Sequence, residues 1–157
     1  MTMMFRRLLG ALLLLGLVAA AAAQDDDAET ADGIAVKIGE SEYGVHLVDA
    51  HDKPVYLFLP DEQGAPTCED DCLEVWPPVI VDGDPVAGEG ADAELTGTVE
   101  REDGSLQLTY NGWPLYYFHL DVPNDEGTML TLGQAQEGRW YLVTAEGDGL
   151  DADEFNR

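Results

Sequence analysis

The chain of 157 residues carries 32 acidic and 7 basic side chains, which gives a formal net charge of −25 at pH 7. A surface this negative repels nucleic acid and anionic lipid, so the composition excludes nucleic-acid partners and argues against lasting contact with a membrane. The length is sufficient for one domain with a substantial hydrophobic core.

The N-terminus has the three parts of a secretory signal peptide. Arg6 and Arg7 precede an apolar run over residues 8–20, and an A-x-A cleavage site follows at residues 21–23. The apolar run is short for a membrane span. We therefore predict that residues 1–23 are a signal peptide, that membrane contact is limited to it, and that the protein is exported, either secreted or periplasmic.

The mature chain is predicted to start near Gln24 with an acidic, flexible leader over residues 24–33. A lipid anchor would need a cysteine at the cleavage point, whereas the first cysteine is Cys68. We therefore expect a soluble exported protein without a lipid anchor.

The acidic side chains are spread along the whole mature chain. Without residues 1–23 the chain keeps 5 basic against 32 acidic residues, a formal charge of −27. This pattern favours adaptation to high salt over a role in binding divalent or basic partners, and over a simple contribution to solubility. We expect the stability to rise with added salt, because salt screens the self-repulsion.

Alternating apolar residues predict short strands in the first half of the chain. The predicted strands are residues 34–38, 43–48, 55–59 and 79–81. The stretch over residues 82–94 is rich in Gly, Pro and Asp. We predict that it links two halves of a single β domain that extends over residues 34–145.

Two-residue turns organise the second half. Asp103-Gly104 and Asn111-Gly112 are both strong signals for β-hairpins. They predict strands over residues 95–102, 105–110 and 113–118, followed by a closing strand over 139–144 and a loose acidic tail over 146–157. The Asn111-Gly112 turn predicts three opposed pairs: Tyr110 with Trp113, Leu108 with Leu115, and Leu106 with Tyr117.

A nine-residue phrase occurs twice, at residues 53–61 and 113–121. Three informative positions recur at a constant offset of 60: Tyr56, Phe58 and Asp61 in the first copy correspond to Tyr116, Phe118 and Asp121 in the second. The offset indicates equivalent strands of a duplicated unit. We predict two pseudo-repeats, over residues 34–81 and 95–145.

The phrase contributes four aromatic residues, which we call the signature rings: Tyr56, Phe58, Tyr116 and Phe118. Two of them lie on one face of each strand. In the second hairpin this face is otherwise polar. The favoured interpretation is that the two pairs pack on each other and close the halves together. The alternative is an exposed platform that holds a ring or a sugar. Asp61 and Asp121 are expected to cap the turns that follow.

The phrase also identifies a family resemblance. Tyr56-Leu-Phe-Leu-Pro-Asp61 and Tyr116-Tyr-Phe-His-Leu-Asp121 resemble the Tyr-x-aromatic-x-x-Asp signature of a family of predicted bacterial and archaeal lipoproteins, also described as a secreted repeat of unknown function. The similarity extends from about Tyr43 to Val143. It implies an extracytoplasmic domain and supplies no established activity. The chain departs from the lipoprotein label because it has no lipid-acceptor cysteine.

Cys68 and Cys72 are the only cysteines, and in an exported protein an even number favours a disulfide. A redox-active pair is the alternative, but the acidic residues around it would raise the thiol pKa rather than lower it. A copper site formed by Cys68, Cys72 and His119 is a further alternative. The spacing of acidic residues matches no calcium loop, and hydrolase motifs are absent from the sequence.

These observations predict an all-β domain, an antiparallel sandwich or small barrel built from two pseudo-repeats of β-hairpins. The predicted function is a non-enzymatic binding or interaction module, without a cofactor, whose partner is a cell-envelope protein or a small ligand. The alternative is an extracytoplasmic redox or copper-handling protein that uses Cys68 and Cys72.

Overall fold

Nine short strands, one short α-helix and two 3₁₀ helices (Leu59–Asp61 and Gln136–Gly138) make up the regular structure of residues 33–151, which are the residues described by a computed structural model. The strands are β1 (Ile34–Ser41), β2 (Gly44–Val48), β3 (Tyr56–Phe58), β4 (Ile80–Val81), β5 (Val86–Ala87), β6 (Thr96–Glu100), β7 (Leu106–Tyr110), β8 (Trp113–Tyr116) and β9 (Trp140–Leu142), and the helix α1 is Asp71–Val75. The predicted signal peptide and all but the last residue of the predicted leader lie outside the described residues.

The strands form two sheets. The smaller sheet has the order β2-β1-β5, and the larger has the order β4-β7-β8-β3-β9 with β6 also paired to β7. All pairings are antiparallel except that of β1 with β5. The predicted all-β fold with two repeats is confirmed. It is sandwich-like rather than a closed barrel.

The main core lies between the two sheets. Val36 and Leu47 of the smaller sheet are buried in one cluster with Leu57, Leu108 and Leu115 of the larger sheet. Because side chains alternate along a strand, the residues next to these point to the opposite face of the larger sheet.

A second cluster covers that opposite face. It contains all four signature rings together with Trp76, Trp140, Leu142 and the sulfur of Cys68. The half-buried side chains of Leu73 in α1 and of Leu150 pack against it. The larger sheet is therefore buried on both faces in its centre.

The predicted register of the second hairpin is right only next to its turn. Tyr110 pairs with Trp113 as predicted, but the two strands separate beyond the pair of Thr109 and Pro114. The segment over residues 77–81 enters the gap. The predicted pairs Leu108 with Leu115 and Leu106 with Tyr117 are therefore wrong.

Backbone hydrogen bonds show why the inserted segment is stable there. The Val79 N–H donates to the Leu115 carbonyl over 3.0 Å, and the Val79 carbonyl accepts from the Leu108 N–H over 2.8 Å. Both strands thus satisfy their polar backbone groups on the inserted segment instead of on each other. Because the inserted segment is distant in sequence from the hairpin, the residues of the hairpin do not indicate that it is inserted there.

Three segments contain order beyond the predicted strands. The linker over residues 82–94 contains β5, which pairs in parallel with β1. The segment before Trp76, for which no helix or strand was predicted, contains α1. The tail is not loose where it is described, because the Leu150 N–H donates to the Leu142 carbonyl over 2.7 Å. Residues 152–157 of the tail lie outside the described residues.

Candidate functional site

The two repeats are interlocked rather than side by side. The signature strand β3 of the first repeat pairs with β9 of the second, which places Phe58 opposite Trp140. The signature segment of the second repeat pairs with the segment after α1 in the first, where Pro78 bridges Tyr116. Each signature strand therefore pairs with segments of the other repeat.

Matching hydrogen bonds extend the two equivalent pairings. The Leu59 N–H donates to the Arg139 carbonyl over 2.9 Å, and the His119 N–H donates to the Val75 carbonyl over 3.0 Å. The two signature strands also pair with each other, with Tyr56 opposite Tyr116. The local pseudo-two-fold axis therefore passes between these two tyrosines.

The signature tyrosines and aspartates make hydrogen bonds that cross between the repeats. The Tyr56 hydroxyl donates to Asp121 Oδ2 over 2.5 Å, and the Tyr116 hydroxyl donates to Asp61 Oδ2 over 2.9 Å. All four side chains are buried. This exchange gives a physical reason for the occurrence of one Tyr and one Asp in each copy of the phrase.

Each aspartate uses its other oxygen to hold the loop that follows. Asp61 Oδ1 accepts from the backbone N–H of Thr67 over 2.8 Å and from its hydroxyl over 2.6 Å. Asp121 Oδ1 accepts from the Leu132 N–H over 2.7 Å. The carboxylates thus stabilise their loops, as expected for turn aspartates, and also bind the opposite repeat.

Burial controls the protonation of these groups. Desolvation raises the pKa of both Asp61 and Asp121, although the hydrogen bonds that they accept lower it in part. Desolvation and the adjacent carboxylates also raise the pKa of Tyr56 and Tyr116, so both hydroxyls stay protonated and act as donors.

Replacing either carboxylate with an amide should change the pH dependence of stability. A carboxyl group whose pKa is raised by folding favours the folded state below its unfolded pKa, and this contribution is lost as the pH rises through the folded pKa. Asp61→Asn and Asp121→Asn should therefore reduce the decline in unfolding free energy between about pH 4 and neutrality. Urea unfolding at a series of pH values measures it.

The exposed Asp84→Asn variant is the control for this experiment, because it removes the same charge without a buried environment. His46, whose pKa is lowered by burial, acts in the opposite direction, but it is common to all three variants and cancels in the comparison. Parallel pH profiles for the wild type and both buried variants would contradict the prediction.

Four aromatic rings form a continuous stack across the junction of the repeats. We call Phe58, Trp140, Trp76 and Phe118, in this spatial order, the aromatic stack. The ring centroids are 4.1 Å apart for Phe58 and Trp140, 3.8 Å for Trp140 and Trp76, and 4.6 Å for Trp76 and Phe118. The repeats alternate along the stack, and the two tryptophans occupy its centre.

Packing of the signature rings was expected from the repeated phrase, whereas the two tryptophans that separate the phenylalanines were not identified from it. A signal was present, because Trp76 and Val79 recur as Trp140 and Val143 with the same spacing. All four signature rings are buried, which leaves no exposed aromatic platform formed by them in the structure.

Gly133 packs directly against this cluster. A Cβ atom at this position would lie 2.7 Å from Tyr56 Cζ and 2.9 Å from a ring carbon of Trp76. Both rings are buried. We expect Gly133→Ala to destabilise the fold by about 1–3 kcal/mol, as overpacking of a core does.

Thermal unfolding of Gly133→Ala beside Gly97→Ala tests this effect. At Gly97 the nearest atom to a new Cβ is the hydroxyl oxygen of Thr109, 3.1 Å away on a small side chain. The Gly97 variant should lose much less stability, and equal losses in the two variants would contradict the assignment of Gly133.

A cavity of about 380 Å³ opens beside the aromatic stack. All four rings line it, together with Cys72 and Val75 on one side and Gln136, Glu137 and Arg139 on the other. Gln136, Glu137 and Arg139 belong to a loop in which two residues other than glycine have a left-handed backbone conformation, Ala135 with φ 59° and Glu137 with φ 53°. Such conformations are uncommon outside glycine and are often found at functional sites.

The cysteines form a disulfide between Cys68 and Cys72, with Cys68 buried against the second cluster. The predicted copper set is therefore not assembled, because neither cysteine has a free thiolate. The His119 ring packs edge-on against Phe118 at 5.1 Å between centroids. Among residues 33–151, no group of three or more His, Cys, Asp or Glu side chains is placed to hold a metal ion.

The fold and the junction define a class of protein, an all-β domain made of two interlocked copies of one secreted unit. Both copies match the family described as a secreted repeat of unknown function, over residues 37–80 and 97–143. These matches cover more than half of the chain, which therefore belongs to this family, and the predicted family is confirmed. Its description as secreted implies export.

Comparisons with curated proteins and with solved structures found no match. In the part of the chain between residues 33 and 151, no helix combines the length and the apolar character needed to cross a membrane.

Proposed function

We propose that the protein is an exported, non-enzymatic binding module that holds a small aromatic or apolar carboxylate in the cavity beside the aromatic stack. The observation that carries this proposal is the combination of four stacked rings and a cationic side chain around one cavity of about 380 Å³. This volume suits a small ligand, and binding sites are commonly apolar with a few polar groups that set orientation.

Arg139 supplies the charge that selects a carboxylate. It is one of 7 basic residues in a chain with 32 acidic ones, and it is the only basic residue that lines this cavity. A guanidinium group binds carboxylates through paired hydrogen bonds. The carboxylate of Glu137 lines the same cavity and repels anions, so the proposed selection depends on direct contact between the ligand carboxylate and the Arg139 guanidinium.

The lining of the cavity supports binding rather than catalysis. It contains neither a hydroxyl side chain nor a histidine, so the residues that line this cavity offer no hydroxyl nucleophile paired with a histidine base. Its rigid rings and strained loop favour a fixed, preorganised shape. The proposed location is the cell envelope or the surrounding medium, and the charge of the chain still predicts adaptation to high salt.

Titration with phenylacetate and its neutral amide, phenylacetamide, tests this proposal. Trp76 and Trp140 line the cavity, so their fluorescence reports occupancy. We expect saturable binding of phenylacetate, at least tenfold weaker binding of the amide, and a loss of this difference in Arg139→Gln. Lys37→Gln makes the same charge change at an ion pair with Asp52, away from the cavity, and should bind normally.

The absence of any saturable signal, or equal binding by the wild type and Arg139→Gln, would overturn the proposal. The redox alternative is tested in the same assay, since Cys72 also lines the cavity. A binding module should lose some stability in the Cys68→Ser/Cys72→Ser double variant, because Cys68 is buried in the second cluster, and should still bind phenylacetate saturably, whereas a redox protein should lose its function.

A further inference from the structure

A buried histidine outside the aromatic stack has one ring nitrogen that finds no hydrogen-bond partner among residues 33–151. His46 in β2 is 1% exposed. Its Nδ1 lies 3.0 Å from the Leu47 carbonyl oxygen, and because a carbonyl can only accept, Nδ1 carries the proton. Nε2 is then the unprotonated nitrogen, and within residues 33–151 it has no hydrogen-bond partner.

This arrangement is the one that a metal-binding histidine adopts. A buried acceptor without a partner destabilises a fold, so an orphaned lone pair needs a physical reason. In metal sites, one ring nitrogen donates to a carbonyl or carboxylate, which orients the ring and leaves the other nitrogen for the metal. Burial also lowers the pKa of His46, which keeps the ring in the neutral form that binds metals.

His46 lines a cavity of about 340 Å³ that also contains the side chain of Met129. Met129 is half-buried and is the only methionine beyond the first four residues. The exposed His51 lies at the same cavity. No residue lines both this cavity and the one beside the aromatic stack.

We propose that this second cavity binds Cu(I) through His46 Nε2 and Met129 Sδ. The donor set selects the ion. Zinc sites take four ligands and calcium takes six to eight oxygens. At this cavity the carboxylates of Glu40 and Asp52 are exposed and the other oxygen donors are neutral hydroxyls, whereas the sheltered nitrogen and sulfur donors are one imidazole and one thioether. A thioether is a soft ligand that favours Cu(I), and an imidazole suits copper as well. His51, at the rim, is placed to take part in the entry of the ion.

This site differs from the copper set predicted from sequence. It uses neither cysteine, and it requires no change in the Cys68–Cys72 disulfide. It is also independent of the proposed carboxylate site, so either proposal can fail without the other.

Competition for Cu(I) against the chelator bicinchoninate, under anaerobic conditions with the oxidised mature protein, tests the site. We expect one Cu(I) per chain in the wild type. Met129→Leu keeps the size of the side chain and removes the sulfur, and should weaken the affinity at least tenfold. His46→Asn can keep a donor to the Leu47 carbonyl while it removes Nε2, and should have the same effect.

His119→Gln and Cys68→Ser/Cys72→Ser are the controls, and both should bind Cu(I) as the wild type does. X-ray absorption at the copper edge should show one nitrogen and one sulfur ligand from the protein, with the sulfur lost in Met129→Leu. Failure to compete with the chelator, or an unchanged affinity in Met129→Leu, would overturn the proposal. Because Met129→Leu is conservative, the test stands even where His46→Asn does not fold.

Discussion

Trp140→Ala is expected to destabilise the protein by about 3–5 kcal/mol, the usual cost of removing a large aromatic side chain from a core. The ring is buried and stacks on Phe58 and Trp76, with Tyr116 edge-on at 5.2 Å. Its removal therefore leaves a cavity at the centre of the junction between repeats. A small domain has only about 5–15 kcal/mol of stability in total, so the loss is large.

Urea unfolding followed by far-ultraviolet circular dichroism measures this loss without relying on tryptophan fluorescence. Trp113→Ala is the matched control, because Trp113 is only half-buried and packs on the core between the sheets instead of in the stack. Trp140→Phe should recover part of the stability, since a ring remains in the stack. An equal cost at Trp113 and Trp140 would contradict the central role of the stack.

Asp121→Ala is expected to cost about 2–5 kcal/mol, because it removes the acceptor of two donors at once. The Tyr56 hydroxyl and the Leu132 N–H would both be left without their carboxylate. Asp61→Ala should have a similar effect, since it leaves the Tyr116 hydroxyl and both donors of Thr67 unpaired. The near-equality of the two effects follows from the pseudo-two-fold symmetry.

Double-mutant cycles can establish the crossed pairing itself. Tyr56→Phe removes one of the donors that Asp121→Ala leaves unpaired, so the double variant should be less destabilised than the sum of the two single variants. Tyr116→Phe should couple to Asp61→Ala in the same way. The uncrossed combination of Tyr56→Phe with Asp61→Ala should be closer to additive. Stronger coupling within a repeat than between repeats would contradict the crossed hydrogen bonds.

Local patterns in the sequence were sufficient to predict the duplication and every strand except β5. The recurrence of Tyr, Phe and Asp at an offset of 60 identified equivalent strands, and Asn111-Gly112 identified a hairpin turn with the correct first pair, Tyr110 with Trp113. These features depend on residues close together in the chain, where alternation and turn preference decide the structure.

The parts that were missed depend on residues far apart in the chain. The segment around Val79 is inserted between β7 and β8, so residues of these strands pair with it instead of with each other. The turn preferences that predict a hairpin carry no information about a segment from elsewhere in the chain that competes for the same hydrogen bonds. The crossed bonds of Tyr56 and Tyr116 were missed for the same reason. Each aspartate also has an ordinary local role as a turn residue. That role already accounts for the aspartate in the sequence, so nothing indicates its second partner, the tyrosine hydroxyl of the other repeat.

His46 is a single side chain whose environment could likewise not be predicted from local sequence patterns. In the sequence it is one of 3 histidines without a paired neighbour at ligand spacing, so nothing separates it from a structural residue. Its hydrogen bond to the Leu47 carbonyl and the unpartnered Nε2 are visible only after the strand has been folded and buried. Met129 is 83 positions further along the chain, on a loop whose course the sequence does not reveal.

The pairing of strands between the repeats affects how the two repeats stay associated. A single copy of the unit would have an unpaired edge on its signature strand and a signature tyrosine without a hydrogen-bond acceptor. It could satisfy both only by exchanging strands with a second copy in a symmetric dimer. Joining both copies in one polypeptide makes this assembly intramolecular. An exported protein is thereby protected against dissociation by dilution.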